Sequence, residues 1–355
     1  MPAGRRPSGK RLPRLPAQAR APKVGGYLWA CRDGFEPHLH EELSQRGAHP
    51  TFITRGLVAS DSVPGASPAF ARAGFLVGKV IEANPVLRFP DLAGTIARSL
   101  EGLVRHRPVC VQAFTPDTPA GNRLAADAEA LLGPVRELLR AERPTDDPKV
   151  ARELGGVLGQ ICLCSPELLV VGWVAAREAL SLAPGGRRRM RTGPKDVSRA
   201  AAKLEEALES FGLEPGKGET CVDLGAAPGG WTARLLERGA RVIAVDPASL
   251  AKPLLQHPKL THVQRSAFNY APEQPVDWLF CDMAWRPLEV AALLAKWGRQ
   301  MWADFLVANV KLPMRDKVGI LRRVREALTE GGWKGLTLRQ LYHDRDEVTV
   351  TARRR

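Results

Sequence analysis

The strongest constraint on the fold is a glycine-rich turn between two apolar runs, in the stretch TCVDLGAAPGGWTARLLERGARVIAVDP. Its pattern predicts a strand over Thr220–Leu224, a turn over Gly225–Gly230, a helix over Trp231–Arg238 and a strand over Arg241–Val245, which ends on Asp246. Further strands are predicted at VDWLFCDM, at DFLVANVKL and as a pair around LTLRQLYHDRDEVTVTARR. Together these patterns predict an α/β, Rossmann-like, doubly wound sheet, which binds ligands beyond the carboxyl ends of its strands.

The glycine-rich turn favours an adenosine cofactor. Glycines let a backbone approach a ligand that a Cβ would exclude, and the following helix presents free N–H groups. Asp246 lies 21 residues after Gly225, where an acid can accept hydrogen bonds from both ribose hydroxyls. NAD is disfavoured because Pro228 restricts the turn and because the charge of Asp223 would repel a pyrophosphate. That charge would attract an ammonium group, so an adenosine carrying an amino acid, such as S-adenosylmethionine, fits better.

The chain is strongly basic, which points to a polyanionic partner. Lysine and arginine number 52 against 38 aspartates and glutamates, a formal net charge of +14. No apolar run approaches the roughly 18 residues of a membrane span, so nucleic acid is favoured over a membrane. Six cysteines occur without C-x-x-C spacing, which predicts a reducing, cytoplasmic compartment and no zinc site. Cys162 and Cys164 are predicted to share the buried face of one strand.

Composition divides the chain into four segments. Residues 1–23 are basic and proline-rich without acids, which predicts a disordered tail; both a basic arm along phosphates and a solvated tail fit it. Residues 24–182 alternate short strands and helices without clustered catalytic side chains, which predicts an α+β, ferredoxin-like binding region. Residues 183–197 read as a basic linker that could contact RNA, and residues 198–355 form the Rossmann-like domain.

Five sequence blocks resemble the motifs of one family. VDLGAAPGGWT resembles motif I of the FtsJ-like 2′-O-ribose methyltransferases, and SRAAAKLEEA, FCDM, NVKLPM and RQLYHDRDEVTV resemble the remaining motifs in the same order. The start ACRDGFEPHLHEEL is similar to bacterial members that methylate a cytidine of 23S ribosomal RNA. The resemblance implies a class I, S-adenosylmethionine-dependent fold behind a THUMP-type RNA-binding region. It also implies 23S ribosomal RNA or its large-subunit precursor as the partner, without a metal.

The same resemblance implies a Lys-Asp-Lys-Glu tetrad, which falls by motif on Lys203, Asp282, Lys311 and Glu347. Methyl transfer to a ribose hydroxyl needs an oxygen that has lost its proton and lies in line with the methyl group. Lys311 can accept that proton if its pKa is lowered, and Lys203 is expected to supply the cation that lowers it. Asp282 and Glu347 are expected to hold the two ammonium groups in line.

The resemblance and the strand pattern together predict a cofactor site along the glycine-rich turn. Ser266 stands where the family has an acid for the adenine amino group, and Ala200 stands where it has a serine that contacts the cofactor. Neither replacement touches the tetrad. The predicted cofactor-binding residues are Asp223, Gly225, Ala227, Pro228, Gly229, Gly230, Trp231, Asp246, Ser266 and Asp282.

Two other functions and one local role stay open. A non-catalytic RNA-binding or ribosome-assembly factor could retain the fold, although it would have little reason to keep both Lys203 and Lys311. An NAD-dependent oxidoreductase is disfavoured by the acid and the proline of the turn and by the basic N-terminal half. Trp285, in CDMAWRP, could stack a nucleobase or pack into the core.

Overall fold

The computed structural model divides the chain into two compact units. The first comprises residues 1–65 and 74–179, and the second comprises residues 66–73 and 180–355. Much of the predicted tail and of the predicted linker falls outside the part of the chain that the structure describes. The described residues are 15–63, 65–104, 109–141, 143–188 and 199–354.

The first unit is built on a mixed, seven-stranded sheet. Its strands are β1 (Tyr27–Cys31), β2 (Pro50–Thr54), β3 (Leu57–Ser60), β4 (Ala71–Glu82), β5 (Val109–Phe114), β6 (Val157–Ser165) and β7 (Leu168–Ala175). Its helices are α1 (Glu36–Gln45), α2 (Leu92–Val104), α3 (Pro119–Arg123), α4 (Ala125–Ala130), α5 (Leu132–Leu138) and α6 (Pro148–Glu153). The strands follow the order β2-β3-β1-β4-β7-β6-β5. Because β5 pairs in parallel with β6 while β6 pairs antiparallel with β7, the sheet has the mixed character of an α+β module.

The β6–β7 hairpin confirms a strand pair expected from GQICLCSPELLVVGWVAA. Cys162 and Cys164 lie on β6 and are both buried, as predicted from their spacing. The pattern of NRLAADAEALLGPVRELLRAE predicts one or two helices, and this stretch folds mainly as the two helices α4 and α5. The break between α4 and α5 falls at Leu131, shortly before Pro134, which lacks the N–H that a continuous helix would need.

The second unit is a doubly wound sheet. Its strands are β8 (Thr220–Leu224), β9 (Arg241–Val245), β10 (Leu260–Val263), β11 (Val276–Cys281), β12 (Ala303–Lys311), β13 (Lys334–Arg339) and β14 (Glu347–Arg353). Its helices are α7 (Arg199–Phe211), α8 (Gly230–Glu237), α9 (Lys252–Leu255), α10 (Pro287–Arg299) and α11 (Lys317–Glu330). The order β10-β9-β8-β11-β12-β14-β13 is parallel from β10 to β12, and β14 runs antiparallel to β12 and to β13. The predicted α/β, Rossmann-like class is confirmed, and β8 and β9 have the predicted bounds.

Aromatic side chains fill the core of this sheet. The Trp278 ring on β11 stacks on Phe305 of β12 at 4.5 Å and on Phe280 at 5.7 Å. Leu204 and Leu208, one turn apart on α7, are buried against the same cluster. Burial of this apolar face therefore holds α7 against the sheet and places the polar residues of α7 at its edge.

The direction of the strands brings residues that are distant in the sequence to one edge of the sheet, where the parallel strands have their carboxyl ends. Leu224, Val245 and Cys281 end the parallel strands β8, β9 and β11, so these ends lie along the same side of the sheet. Lys311 ends β12 at that side. Because β14 runs in the opposite direction, its first residue, Glu347, pairs directly with Lys311.

Candidate active site

The four residues of the predicted tetrad meet at this edge. The Lys311 ammonium contacts a carboxylate oxygen of Glu347 and lies 3.4 Å from Oδ1 of Asp282. The Lys203 ammonium, which α7 supplies, contacts the other oxygen of Glu347. Glu347 therefore bridges the two lysines, and Lys311 bridges the two carboxylates, as expected from the sequence.

Burial and charge act in opposite directions on the two central groups. Glu347 has a side chain only 5% exposed, and burial alone would raise its pKa, but Lys203 and Lys311 together hold that pKa below its usual value. Burial alone would lower the pKa of Lys311, but the carboxylates of Asp282 and Glu347 raise it above its usual value. The expected lowering of the Lys311 pKa by Lys203 is thus wrong for this arrangement, because Glu347 lies between the two ammonium groups and Lys311 faces two acids.

A buried hydrogen-bond chain supports Asp282 from behind. Asn309 is fully buried, and its amide nitrogen donates to Oδ1 of Asp282 at 3.3 Å. The Thr349 hydroxyl lies 2.9 Å from the amide oxygen of Asn309 and 3.0 Å from Oδ2 of Asp344. Burial, with Glu347 nearby, raises the pKa of Asp344 to about 8. A protonated Asp344 can donate to Thr349, which leaves the threonine proton for Asn309.

The sequence interpretation missed this chain, although a period of two could have indicated it. Asn309 precedes Lys311 by two residues on β12, and Thr349 follows Glu347 by two on β14, so all four side chains face the same side of the sheet. Asn309 and Thr349 are also direct cross-strand partners.

Glu206 anchors the turn before β14 to the helix that carries Lys203. One turn after Lys203, its carboxylate accepts hydrogen bonds from the backbone N–H of Tyr342 at 2.7 Å and of His343 at 3.1 Å. The His343 ring nitrogen Nδ1 lies 2.7 Å from the same carboxylate. His343 thus has a structural role, and Glu206 fixes the spacing between α7 and the start of β14.

The glycines of the turn are required by the packing of the chain itself. Gly225 has φ +77°, and a Cβ there would lie 2.7 Å from Cγ of Met283. Gly229 has φ +115°, and a Cβ there would overlap the side chain of Leu254. These positions need glycine before any ligand is considered, which adds a second reason to the one inferred from the sequence.

Asp246 shapes the turn from the next strand. Its Oδ2 accepts a hydrogen bond from the N–H of Ala227 at 3.1 Å, and its Oδ1 accepts one from the N–H of Ala248 at 2.7 Å. The carbonyl of Pro228 accepts a hydrogen bond from Ala251, and Gly230 begins α8. Each carboxylate oxygen keeps a further lone pair, so Asp246 can still accept a ribose hydroxyl.

Asp223 is a buried acid on β8, just before the glycine-rich turn. Asp223 is 1% exposed and accepts a hydrogen bond from the Thr232 hydroxyl at 2.7 Å. Burial, together with the nearby acids Asp282 and Asp246, raises the pKa of Asp223 to about 7, and a neighbouring cation would favour its charged form. This fits the ammonium end of S-adenosylmethionine.

Trp231 and Ser266 have local structural roles. The Trp231 side chain is buried, with its ring 6.1 Å from that of Phe280, so it contributes to the core and leaves only its backbone at the turn. The Ser266 hydroxyl accepts a hydrogen bond from the N–H of Phe268 at 3.4 Å at the start of a short helical turn.

An open cavity adjoins the tetrad. It has a volume of about 480 Å³ and is lined by two loops, residues 284–287 after β11 and residues 311–313 at the end of β12. Lys311 belongs to this lining, and its ammonium also pairs with the carboxylates of Asp282 and Glu347.

The described residues show neither a metal-binding cluster nor a membrane-spanning helix. They contain no group of three or more histidines, cysteines, aspartates or glutamates arranged to hold a metal ion. Among the helices described, none is both long enough and apolar enough to cross a membrane.

The chain is similar to known methyltransferases. The FtsJ-like methyltransferase family model matches residues 197–295, a range that contains Lys203 and Asp282. A relative from Halorhodospira halophila, called Ribosomal RNA large subunit methyltransferase M, is 34% identical over 94% of this chain and 98% of its own. A relative of the same name from Xylella fastidiosa (strain M12) is 32% identical over 93% of this chain and 99% of its own. A solved Methanococcus jannaschii fibrillarin pre-rRNA processing protein aligns with 55% of this chain and 82% of its own at 15% identity, with a TM-score of 0.35, which is too low to assign a function.

Proposed function

The chain belongs to the ribosomal RNA large subunit methyltransferase M family, and we propose that it methylates the ribose 2′-oxygen of one nucleotide, a cytidine, in 23S ribosomal RNA with S-adenosylmethionine as donor. The observation that carries this proposal is the tetrad. Two lysines and two acids, which three strands and one helix supply, converge beside a cavity large enough for a nucleotide.

The tetrad performs proton transfer and alignment. Lys311, at the cavity, is the general base that accepts the proton of the 2′-hydroxyl. Asp282 and Glu347 hold its nitrogen in line, and Lys203 neutralises the buried carboxylate of Glu347. The cofactor supplies an electrophilic methyl group when bound, and Asp223, Asp246 and the turn between them form its site. No metal is needed, because no phosphate charge is neutralised and no water is activated.

The raised pKa of Lys311 gives this mechanism a definite pH dependence. An unperturbed lysine has a pKa of about 10.4, and the two acids raise that of Lys311 further, so the neutral form that can accept a proton becomes more abundant as pH rises. The single-turnover rate should therefore rise about tenfold per pH unit between pH 6.5 and 9. A rate that does not change with pH over this range would exclude Lys311 as the base.

The first unit is proposed to bind the RNA. Its mixed α+β sheet is compatible with a THUMP-type region, and the net charge of +14 favours a polyanionic partner. We also place the protein in the cytoplasm, where ribosomal RNA lies and where its six buried cysteines would stay reduced.

The test compares wild type, Lys311→Ala and the exposed-lysine control Lys334→Ala. Each is incubated with labelled S-adenosylmethionine and 23S ribosomal RNA that lacks its native modifications, and methylation is mapped by a ribose-specific readout. Wild type and Lys334→Ala should label one ribose, while Lys311→Ala should not. Label on a base, or undiminished transfer by Lys311→Ala, would contradict the mechanism. If wild type labels no form of the RNA, the chain is a non-catalytic binding factor.

A further inference from the structure

An exposed tryptophan lies at the cavity beside the tetrad. Trp285 follows β11 by four residues and lines the same cavity as Lys311. It is 51% exposed, whereas Trp231, Trp278 and Trp297 are 3% exposed or less. Core packing, one of the two roles open from the sequence, is therefore wrong for Trp285. A large exposed aromatic side chain at a cavity is typical of a binding surface.

Two neighbours hold the Trp285 ring in place. Its Nε1–H donates to Oε2 of Glu289 at 2.7 Å, one turn further into α10. The Phe268 ring lies 5.8 Å away at an interplanar angle of 54°. The indole is therefore oriented before a ligand arrives, which reduces the conformational entropy that binding would cost.

Apart from Trp285, the cavity is lined by two basic residues and four apolar ones. Arg286 and Lys311 line the cavity together with Ala284, Pro287, Leu312 and Pro313. The Arg286 side chain is 83% exposed and pairs with Glu289 at 3.0 Å, so its remaining donors can contact a phosphate. An aromatic ring and the guanidinium of Arg286 beside a cavity match the flat base and the charged backbone of a nucleotide.

We propose that the indole of Trp285 stacks on the base of the acceptor nucleotide and thereby places its ribose 2′-hydroxyl at Lys311. The inference rests on the proposed function and adds to it how the acceptor is held. Stacking uses the face of the base, which every base has, so Trp285 positions the nucleotide without selecting its identity. The acceptor base must then be unstacked from its RNA neighbours to reach the cavity.

The test combines a change in the protein with a change in the RNA. Once the methylated nucleotide is mapped, a short RNA around it is made in two forms, one intact and one with an abasic ribose that keeps its 2′-hydroxyl. Single-turnover methylation at saturating S-adenosylmethionine is measured for wild type, Trp285→Ala and Trp285→Phe. Leu213→Ala, which shortens an exposed apolar side chain elsewhere in the unit, is the matched control. Cofactor affinity is measured separately by calorimetry.

On intact RNA, Trp285→Ala should reduce the rate at subsaturating RNA by about 5- to 150-fold, while Trp285→Phe stays within about fivefold of wild type. The abasic RNA should impair wild type by a similar factor and should impair Trp285→Ala little further, because each change removes the same contact. Cofactor affinity and the Leu213→Ala rate should stay at wild-type values.

Three outcomes would overturn the inference. The first is an unchanged rate for Trp285→Ala. The second is a rate for Trp285→Ala on abasic RNA that falls by the product of the two separate losses, which would mean that the two changes act independently. The third is a loss of cofactor affinity in Trp285→Ala that accounts for its lower rate. In all three, ribose methylation by wild type leaves the proposed function standing. If wild type does not methylate the intact RNA at any ribose, the proposed function fails first and the inference fails with it.

Discussion

The glycine-rich turn and the tetrad lie at the same edge of one sheet but are built differently. The turn is contiguous, and its shape comes from the backbone conformation of Gly225 and Gly229 and from hydrogen bonds to Asp246. The tetrad is dispersed, since Lys203 and Glu347 are separated by 144 positions in the chain. Its members meet through the packing of α7 on the sheet and through the register of β12 with β14. The turn thus depends on local sterics, whereas the tetrad depends on topology and on paired charge.

This difference predicts that substitutions at the two places fail in different ways. Changes in the turn should reduce stability and cofactor affinity together, because the chain cannot adopt the required backbone. Changes at Lys203, Lys311 and Glu347 should reduce the rate of methyl transfer while cofactor affinity stays near wild type, because none of these three side chains shapes the turn or is predicted to bind the cofactor.

The largest effect is expected at Glu347. Replacement by alanine leaves the ammonium groups of Lys203 and Lys311 without their shared carboxylate, so the transfer rate should fall by about 100- to 10,000-fold. Single-turnover kinetics measures the transfer rate, and titration with the cofactor measures its affinity. Glu330→Ala, at the exposed end of α11, is the control. If cofactor affinity falls by the same factor as the transfer rate, the tetrad and the glycine-rich turn do not have the separate roles described above.

Gly225→Ala tests the glycine-rich turn through its effect on stability. The positive φ alone costs about 1–2 kcal/mol for a residue with a Cβ, and the clash with Met283 should bring the loss in the free energy of unfolding to about 2–4 kcal/mol. Gly212→Ala is a matched control, because Gly212 has φ +73° and no atom within 4 Å of its Cβ position. Chemical denaturation should show a larger loss for Gly225→Ala, and equal losses would mean that the clash with Met283 is unimportant.

Asn309→Ala should have an intermediate effect. It removes the donor that orients Asp282 and the acceptor for Thr349, so the transfer rate should fall by about 5- to 150-fold. Because Asn309 acts through Asp282, cofactor affinity should change by less than about threefold. If Asp282→Ala and Asn309→Ala reduce the rate independently in a double-mutant cycle, Asn309 is not a positioning residue.

Asp344 should make the stability of the fold depend on pH. Its pKa of about 8 in the fold lies above the value of about 3.9 of an unfolded chain, so the folded state binds more protons between these limits. The contribution of this group to stability is therefore fully present below about pH 4 and is lost as pH rises toward 8, by up to about 1.4 kcal/mol per pH unit. Asp344→Asn keeps a neutral side chain, so its free energy of unfolding should fall less than that of wild type from pH 5 to pH 8. Parallel pH profiles for the two proteins would contradict this.

The βαβ unit was predictable from the sequence because its signals are local. Apolar runs, a glycine-rich turn and an acid at the next strand end all lie within about 30 residues, and the bounds of β8 and β9 came out as expected. Motif order predicted the four tetrad residues, and the structure brings their side chains together, while their catalytic roles stay a prediction.

Only the tertiary structure decides how those residues act on one another. The antiparallel direction of β14 places Glu347 against Lys311, and that contact raises the lysine pKa where the sequence suggested a lowering. The same register aligns Asn309 with Thr349, and the exposure of Trp285 excludes core packing as its role. Motifs indicate which side chains reach a strand end, but the charge state and the exposure of a side chain depend on neighbours that arrive from elsewhere in the chain.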